Sequence, residues 1–340
     1  MRITENASLI GLNSFRIDVQ CQKLIFLEDE KDLPILFSDF LAQNFQNQIP
    51  LLILGGGSNC LFTRDFEGII LQVGMKGIRH TREESFIRVN VMAGEKWNDL
   101  VNYCLDHQIG GLENLSLIPG TVGAAPVQNI GAYGVELKDY FYKLRAFHLP
   151  TGKFQEFSQS QCAFDYRDSI FKKKSGEFLI TQVEFHFPII PKLKLDYGSI
   201  QTELNLAGIN HPNIRDIGNL VSKIRILKLP DPSEVGNAGS FFKNPIISFT
   251  ELKRLKSEYA DIVFFKWKSE EYKLAAGWLI EQCGWKGKSS GKVGTWKNQA
   301  LVIVNHGGAS GKDILNFSES IIDSVFKKFG VKLIPEVNIF

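Results

Sequence analysis

The stretch Ile118-Pro119-Gly120-Thr121-Val122-Gly123-Ala124-Ala125-Pro126-Val127-Gln128-Asn129-Ile130-Gly131-Ala132-Tyr133-Gly134 fits neither an ordinary helix nor a strand core. Glycine loses too much conformational freedom there, and proline lacks the N–H that either ladder needs. Such a segment can instead form turns whose successive N–H groups converge on an anion such as a pyrophosphate. Gln128 and Asn129 add amides able to read a planar heterocycle. A tight interdomain turn would have the same composition. A second glycine run, Gly55-Gly56-Gly57-Ser58-Asn59, directly follows the apolar strand run Leu51–Leu54 and shifts the reading toward a dinucleotide. Neither standard cradle is present. Cys60 occupies the third glycine position of G-x-G-x-x-G, and Gln282 replaces the upstream glycine of a P-loop near Gly287-Lys288-Ser289.

A chain of 340 residues suits two or three domains, each with its own core. Apolar residues make up 44% and charged ones 22%, a globular balance. A net charge of +2 offers no field for nucleic acid, and Lys172 to Lys174 read as a solvated turn. The first residues lack the apolar core of a signal peptide, and no run is long enough to span a membrane. Cys21, Cys60, Cys104, Cys162 and Cys283 are scattered and odd in number, which suggests reduced thiols in a cytoplasmic protein. The six histidines show no metal-ligand spacing, so no metal is expected.

Periodicity supplies a coarse map. Leu51–Leu54 and Ile69 to Val73 read as buried strands, and Ile87, Val89 and Val91 alternate with polar neighbours as in a half-buried strand. Trp97, Leu100, Val101, Cys104 and Leu105 share one helical face. From Tyr140 to Phe187 the pattern is mainly β, ending in a strand from Phe178. A second unit is expected after Asp216, with helices over 249–259, 272–283 and 312–329. A strand is expected at Ala300 to Val304, and a last one at Val331 to Phe340.

Chemistry-bearing residues are dispersed through this map. Gly236-Asn237-Ala238-Gly239-Ser240-Phe241-Phe242-Lys243-Asn244-Pro245 lets a backbone approach a ligand closely while presenting the Ser240 hydroxyl. It also reads as a plain loop entering a strand. In Tyr166-Arg167-Asp168-Ser169-Ile170-Phe171, Arg167 suits a carboxylate, or pairs with Asp168. Tyr197 lies in a loop after Leu195, Lys228 stands at a rigid Lys-Leu-Pro-Asp-Pro corner, and Glu336 follows Pro335.

Taken together these pieces resemble the UDP-N-acetylenolpyruvoylglucosamine reductase family. The matching segments are Asn13-Ser14-Phe15, Gly55 to Asn59, Ile118 to Gly134, Tyr166 to Phe171, Gly236 to Pro245, Lys273 to Gln282 and Pro335-Glu336-Val337, in the family's order across nearly the whole chain. The Tyr197 loop makes it similar to the longer, first class of that family. Ser14 replaces a more usual threonine, and Asn338 stands where a basic residue is common.

The resemblance implies an α+β protein with a vanillyl-alcohol-oxidase-type (PCMH-type) FAD-binding domain of two subdomains and a C-terminal α/β substrate-binding domain. The implied limits are 1–68 and 69–215 for the subdomains (the FAD domain overall about 15–190) and 216–336 for the substrate domain. Residues 337–340 would return toward the FAD domain. FAD would be held without a covalent tether, its pyrophosphate cradled by Gly55, Gly56, Gly57, Ser58, Asn59, Ile118, Pro119, Gly120, Thr121 and Gly123, with Asn129 and Gly131 near the flavin. Arg167 and Glu336 correspond to the pair that polarises the substrate carboxylate, and Ser240 to the proton donor. Tyr197, Lys228, Asn244 and Gln299 correspond to substrate-binding positions. The implied reaction reduces UDP-N-acetylglucosamine enolpyruvate with NADPH to give UDP-N-acetylmuramate for peptidoglycan, in a cytoplasmic monomer that binds no nucleic acid or membrane. An FAD-linked oxidase of the same fold and a catalytically silent nucleotide-sugar-binding flavoprotein are the competing readings.

Overall fold

The computed structural model describes residues 1–43, 47–197 and 200–340, so Gly198, beside Tyr197 in the expected loop, lies outside the described residues. Two compact units emerge. One comprises Met1–Ala7, Cys21–Gly56 and Glu67–Arg225, and the other Ser8–Gln20, Gly57–Phe66 and Ile226–Phe340. This is a division by packing, distinct from the linear functional domains expected from the sequence.

The first unit is built on two sheets. A four-stranded sheet has the order Arg2–Ser8, Gln20–Leu27, Phe66–Val73, Leu51–Leu54. Its last two strands pair in parallel, Leu51 opposite Ile69 and Leu54 opposite Gln72. A five-stranded antiparallel sheet follows, ordered Lys153–Ser158, Phe141–His148, Phe178–Pro188, Phe86–Met92, Ile78–Arg82. The expected alternation holds: Ile87, Val89 and Val91 are buried and face Phe187, Phe185 and Val183, also buried. A one-residue slip would turn this entire apolar set outward, so the pattern fixes the register. The helix Trp97–Asp106 buries the five residues read from its period. Trp97 is fully buried, and its indole N–H donates to the Leu115 carbonyl at 3.0 Å, which satisfies the one polar atom that burial would strand.

In the second unit an antiparallel sheet runs Gly236–Ser240, Gln299–Asn305, Val293–Trp296, Ser289–Ser290. The helix Gly311–Phe329 begins at a capping box between Ser310 and Asp313 and stops at Gly330, whose φ of 71° suits glycine. Two expectations need correction. Residues 272–274 are not helical but belong to the strand Glu271–Leu274, paired with Ile246–Ser248 and Phe264–Lys268, and the helix is confined to Ala276–Gln282. Hydrogen bonds to two strands, one joined to Glu271–Leu274 by a tight hairpin and the other over 20 residues back, override a helical period there. The last stretch is also not a continuous strand. Val331 to Ile334 are irregular, Pro335 forms one isolated bridge with Phe242, and only Asn338–Ile339 pair in a strand, parallel to Cys60–Leu61. A proline has no N–H with which to continue a ladder.

All five cysteines are free thiols, and burial pushes Cys60 up to about 12. Among the described residues no helix is long and apolar enough to cross a membrane, and no cluster of His, Cys, Asp or Glu is fit to hold a metal ion.

Candidate active site

In the first unit the two glycine-rich segments meet. A Cβ on Gly55 would lie 2.4 Å from Thr121 Oγ1, and one on Gly56 would lie 3.2 Å from the Gly120 Cα, so a side chain at either position would force a shift. The main chain of 93–97 pins the second segment: Trp97 N donates to Gly120 O, Val122 N to Glu95 O and Gly123 N to Ala93 O. This modifies the expectation of converging N–H groups, since the amides of Val122 and Gly123 are engaged in that pairing. Gly123 provides closeness instead, because a Cβ there would fall 2.5 Å from Ala93 Cβ.

Beside this contact lies a cavity of about 100 Å³, with Gly55, Thr121, Gly123 and Ala124 in its wall. Leu52, Val73, Val127, Phe171, Phe178 and Ile180 give much of the rest of the lining an apolar character, with Ser175 a polar exception. The sequence reading missed these six, since in one dimension a residue that packs a core and one that faces a cavity look alike. Thr121 Oγ1 is buried with no hydrogen-bond partner among the described residues. A buried hydroxyl without a partner costs about 1–3 kcal/mol. Next to a wall of glycines, that orphan donor fits the polar edge or phosphate of a dinucleotide such as FAD.

Asn129 and Gly131 follow. Asn129, at φ 43°, is fully buried, and its side chain is engaged throughout. Its Oδ1 accepts from Lys138 N, while Nδ2 donates to Glu136 Oε2 and to the Asp165 carbonyl. Asn129 therefore ties the glycine-rich segment to the turn that carries Arg167. That turn is closed by reciprocal Asp165–Asp168 backbone bonds, and Arg167 sits within it at φ 53°, a left-handed conformation costly for a side chain. Its Nη2 donates to Gly131 O at 2.7 Å. Asp168 faces Lys173 at 3.2 Å.

A third cluster joins Tyr133, Tyr197 and Arg225. The two tyrosine rings meet edge to face at 6.1 Å. Arg225, which the sequence reading did not single out, has a buried Nε with no hydrogen-bond partner among the described residues. Burial lowers its guanidinium from the ordinary value, and the Arg167 charge adds to this while Tyr133 opposes it. Burial likewise raises the Tyr133 phenol.

The second unit presents a separate group. The strand Gly236–Ser240 is bulged: its register with Gln299–Asn305 slips between Asn237 and Ser240, and Gly239 takes φ 67°. Gly239 N donates to Asn237 Oδ1, which holds the bulge. Bulges re-aim side chains, and this one leaves Ser240 exposed beside the fully buried Phe241. Immediately after it, 241–243 run antiparallel to 334–336, with Glu336 N donating to Phe241 O and Lys243 N to Ile334 O. Ser240 and Glu336 thus flank this short antiparallel pairing, one on each chain segment. Asn59 Nδ2 donates to the Glu336 carbonyl, and Asn338 reaches the Asn59 carbonyl through both its backbone N and its Nδ2.

Gly57 anchors the same loop, since a Cβ there would lie 1.8 Å from Leu12 O. Asn244 Oδ1 accepts from Ala276 N at the first turn of Ala276–Gln282, and Gln299 Oε1 borders Gly277 in that turn. Both carbonyl oxygens already serve the fold. Lys228 is exposed at the end of its helix, and the preceding Leu227 carbonyl accepts from Asn298 Nδ2.

Comparison with known proteins agrees along the full length. The model of an FAD binding domain matches residues 37–158, and that of the UDP-N-acetylenolpyruvoylglucosamine reductase C-terminal domain matches 231–340. The chain is 44% identical to the UDP-N-acetylenolpyruvoylglucosamine reductase of Pseudomonas aeruginosa, over 100% of this chain and 99% of that protein. It is 42% identical to the one from Flavobacterium johnsoniae, with 100% of both chains covered. The crystal structure of the Thermus caldophilus reductase superposes with a TM-score of 0.67 at 21% identity, over 100% of this chain and 99% of that one, which supports the fold. With such identity sustained from end to end and both domains in order, the chain belongs to the UDP-N-acetylenolpyruvoylglucosamine reductase family, FAD-dependent oxidoreductases of peptidoglycan synthesis.

Proposed function

We propose that this chain reduces UDP-N-acetylglucosamine enolpyruvate to UDP-N-acetylmuramate with NADPH, using non-covalent FAD, as a cytoplasmic monomer. The functional domains are proposed at 1–68, 69–215 and 216–336. The observation that carries the reaction type is the Ser240 hydroxyl, turned outward by a bulge, with the next residue, Phe241, accepting from Glu336 N.

Gly55, Gly56, Gly57, Ser58, Asn59, Ile118, Pro119, Gly120, Thr121 and Gly123 would hold the cofactor, with Asn129 and Gly131 supporting that surface. Bound FAD supplies hydride transfer from NADPH to the methylene carbon of the enolpyruvyl group. Negative charge then develops on the carbon that bears the carboxylate. Arg167, whose Nη2 donates to Gly131 O, would meet that carboxylate with a charge that does not titrate away. Glu336, when it carries a proton, donates to the same group, lowering the cost of the developing charge. Ser240 gives its proton to the carbon and recovers one from solvent. Tyr197 and Lys228 bind the diphosphate, and Asn244 and Gln299 present their amide Nδ2 and Nε2 to the nucleotide sugar.

The test is NADPH oxidation by purified protein with and without the enolpyruvyl nucleotide sugar. Oxidation dependent on that sugar is expected, whereas oxygen-dependent turnover of an alcohol would mark an oxidase instead. Acid precipitation should leave all flavin in the supernatant, and a yellow pellet would reveal a covalent tether.

Thr121 gives a prediction with two opposite signs. Thr121→Val should weaken FAD about 10- to 100-fold, the ~1.5–3 kcal/mol of a hydrogen bond to a charged group. The apoprotein should melt no lower, since a buried unsatisfied hydroxyl is gone. Fluorescence titration of apoprotein with FAD, beside a flavin-free melting curve, measures both, and unaltered FAD affinity would take Thr121 out of the cradle. Replacing Lys228 or Tyr197 should raise the KM for the nucleotide sugar by a similar ~10- to 100-fold, and an unchanged KM removes that residue from the site.

A further inference from the structure

We propose that Asn114 is a positioning residue for substrate binding, acting through Tyr197. Asn114 is fully buried in a short helical turn just before the glycine-rich segment. Its Nδ2 donates to two backbone carbonyls far apart in the chain, Tyr133 O at 2.8 Å and Lys194 O at 2.9 Å. One amide therefore ties the end of the glycine-rich segment to the segment that leads into Tyr197.

The surroundings give this clasp a direction. Leu193 and Leu195 pack, together with Tyr133, on the apolar cluster of Ile200, Leu204, Ile217, Leu220, Val221 and Ile224. Lys194, between the two leucines, has its side chain exposed, and its carbonyl meets Asn114. Three residues further on, Tyr197 abuts the same target from above: its ring meets the Tyr133 ring, and its Cβ would lie 3.3 Å from a Cβ on Gly134. The Tyr197 ring contact and the Asn114 clasp thus both bear on Tyr133–Gly134.

The clasp is also incomplete. Asn114 Oδ1 is buried and has no hydrogen-bond partner among the described residues. An amide with both hydrogens engaged and its oxygen stranded holds less firmly than a satisfied one. Its buried site still excludes the water that would compete for the two carbonyls. Removing it frees the Tyr197 segment without touching the cofactor cradle.

This inference rests on Tyr197 being a substrate contact, and the experiment separates the two. In the FAD-loaded enzyme, Asn114→Ala should raise the KM for the nucleotide sugar about 10-fold, the equivalent of one buried hydrogen bond. Bleaching of FAD by NADPH should stay at the parental rate. Amide exchange of 192–197 should quicken without substrate present, a readout independent of catalysis. Made in a Tyr197→Ala background, the same change should add little to the KM, because its route is already cut.

An unchanged KM with unchanged exchange overturns the proposal, as does full additivity of the two substitutions. If Tyr197→Ala alone leaves the KM unchanged, Tyr197 is not a contact. The substrate role then falls with it, while the exchange result still judges the clasp. Should Asn114→Ala fail to fold, Asn114→Leu takes its place, filling the same volume without the two donors, and should raise KM and quicken exchange of 192–197 in the same way.

Discussion

Ser240→Ala should separate the two halves of the catalytic cycle. Reduction of FAD by NADPH needs no proton at the substrate carbon, so anaerobic bleaching of the variant is expected near the parental rate. Reoxidation by the enolpyruvyl nucleotide sugar needs that proton and should slow ~10²- to 10⁴-fold, the usual effect of losing a general acid. The variant loses one exposed oxygen at the end of a bulge whose geometry rests on Gly239 and Asn237, so the backbone has no reason to move. Stopped-flow traces of the two half-reactions decide the matter. If Ser240 only shapes the loop, both halves slow together or flavin is lost. Parental reoxidation would dismiss it as the donor.

The other large effect is structural. Gly57→Ala would set a methyl group 1.8 Å from the Leu12 carbonyl at a residue with φ 62°, so both the backbone and its neighbour must shift. Strain of this kind with overpacking costs ~3 kcal/mol or more. That corresponds to a fall in melting temperature of roughly 6–12 °C in a unit of this size. Because Gly57 lies in the loop expected to cradle the pyrophosphate, flavin content should fall as well. Gly284→Ala is the control, since φ is similar at 75° but nothing lies within 4 Å of the added carbon. Only the conformational penalty remains there, about 1 kcal/mol. Differential scanning calorimetry of both variants tests this, and equal melting temperatures would show that the loop yields without strain.

What the sequence made legible follows from what is local. The alternation around Val89, the helical face from Trp97 to Leu105 and the stop at Gly330 each depend on a few neighbouring residues, and each is found in the fold. The two glycine runs were legible as special backbone, although what they provide at Gly55 and Gly57 is close approach, which the sequence did not announce. Pairing partners were not legible. Tyr272 to Leu274 join a sheet because Ile246–Ser248 and Phe264–Lys268 offer hydrogen bonds on either side, and no local period announces that. The bulge that exposes Ser240 is a slip of register against Val302, so it exists only once two distant strands meet. Arg225 and Asn114 escaped notice for the same reason. An arginine on an amphipathic helix and an asparagine before a turn look ordinary until their burial is known.

The second unit gathers three pieces of chain: Ser8–Gln20, Gly57–Phe66 and Ile226–Phe340. Asn237 N reaches the Ser14 carbonyl, Asn305 Nδ2 the Phe15 carbonyl, and Thr63 N the Phe340 carbonyl, where Phe340 also packs its ring 5.4 Å from that of Phe62. During synthesis the two early pieces leave the ribosome long before their partners exist. They must wait, with Phe15 and Phe62 uncovered, while more than 150 residues of another unit are made and folded. Such long-range closure is slow and leaves apolar surface open to aggregation. The region matched as the reductase C-terminal domain, expressed alone from 231, would lack both early pieces and leave the Phe241 ring without Phe15 against it. Its yield in folded form therefore measures how far one strand of this unit can stand in for the ends that normally return to it.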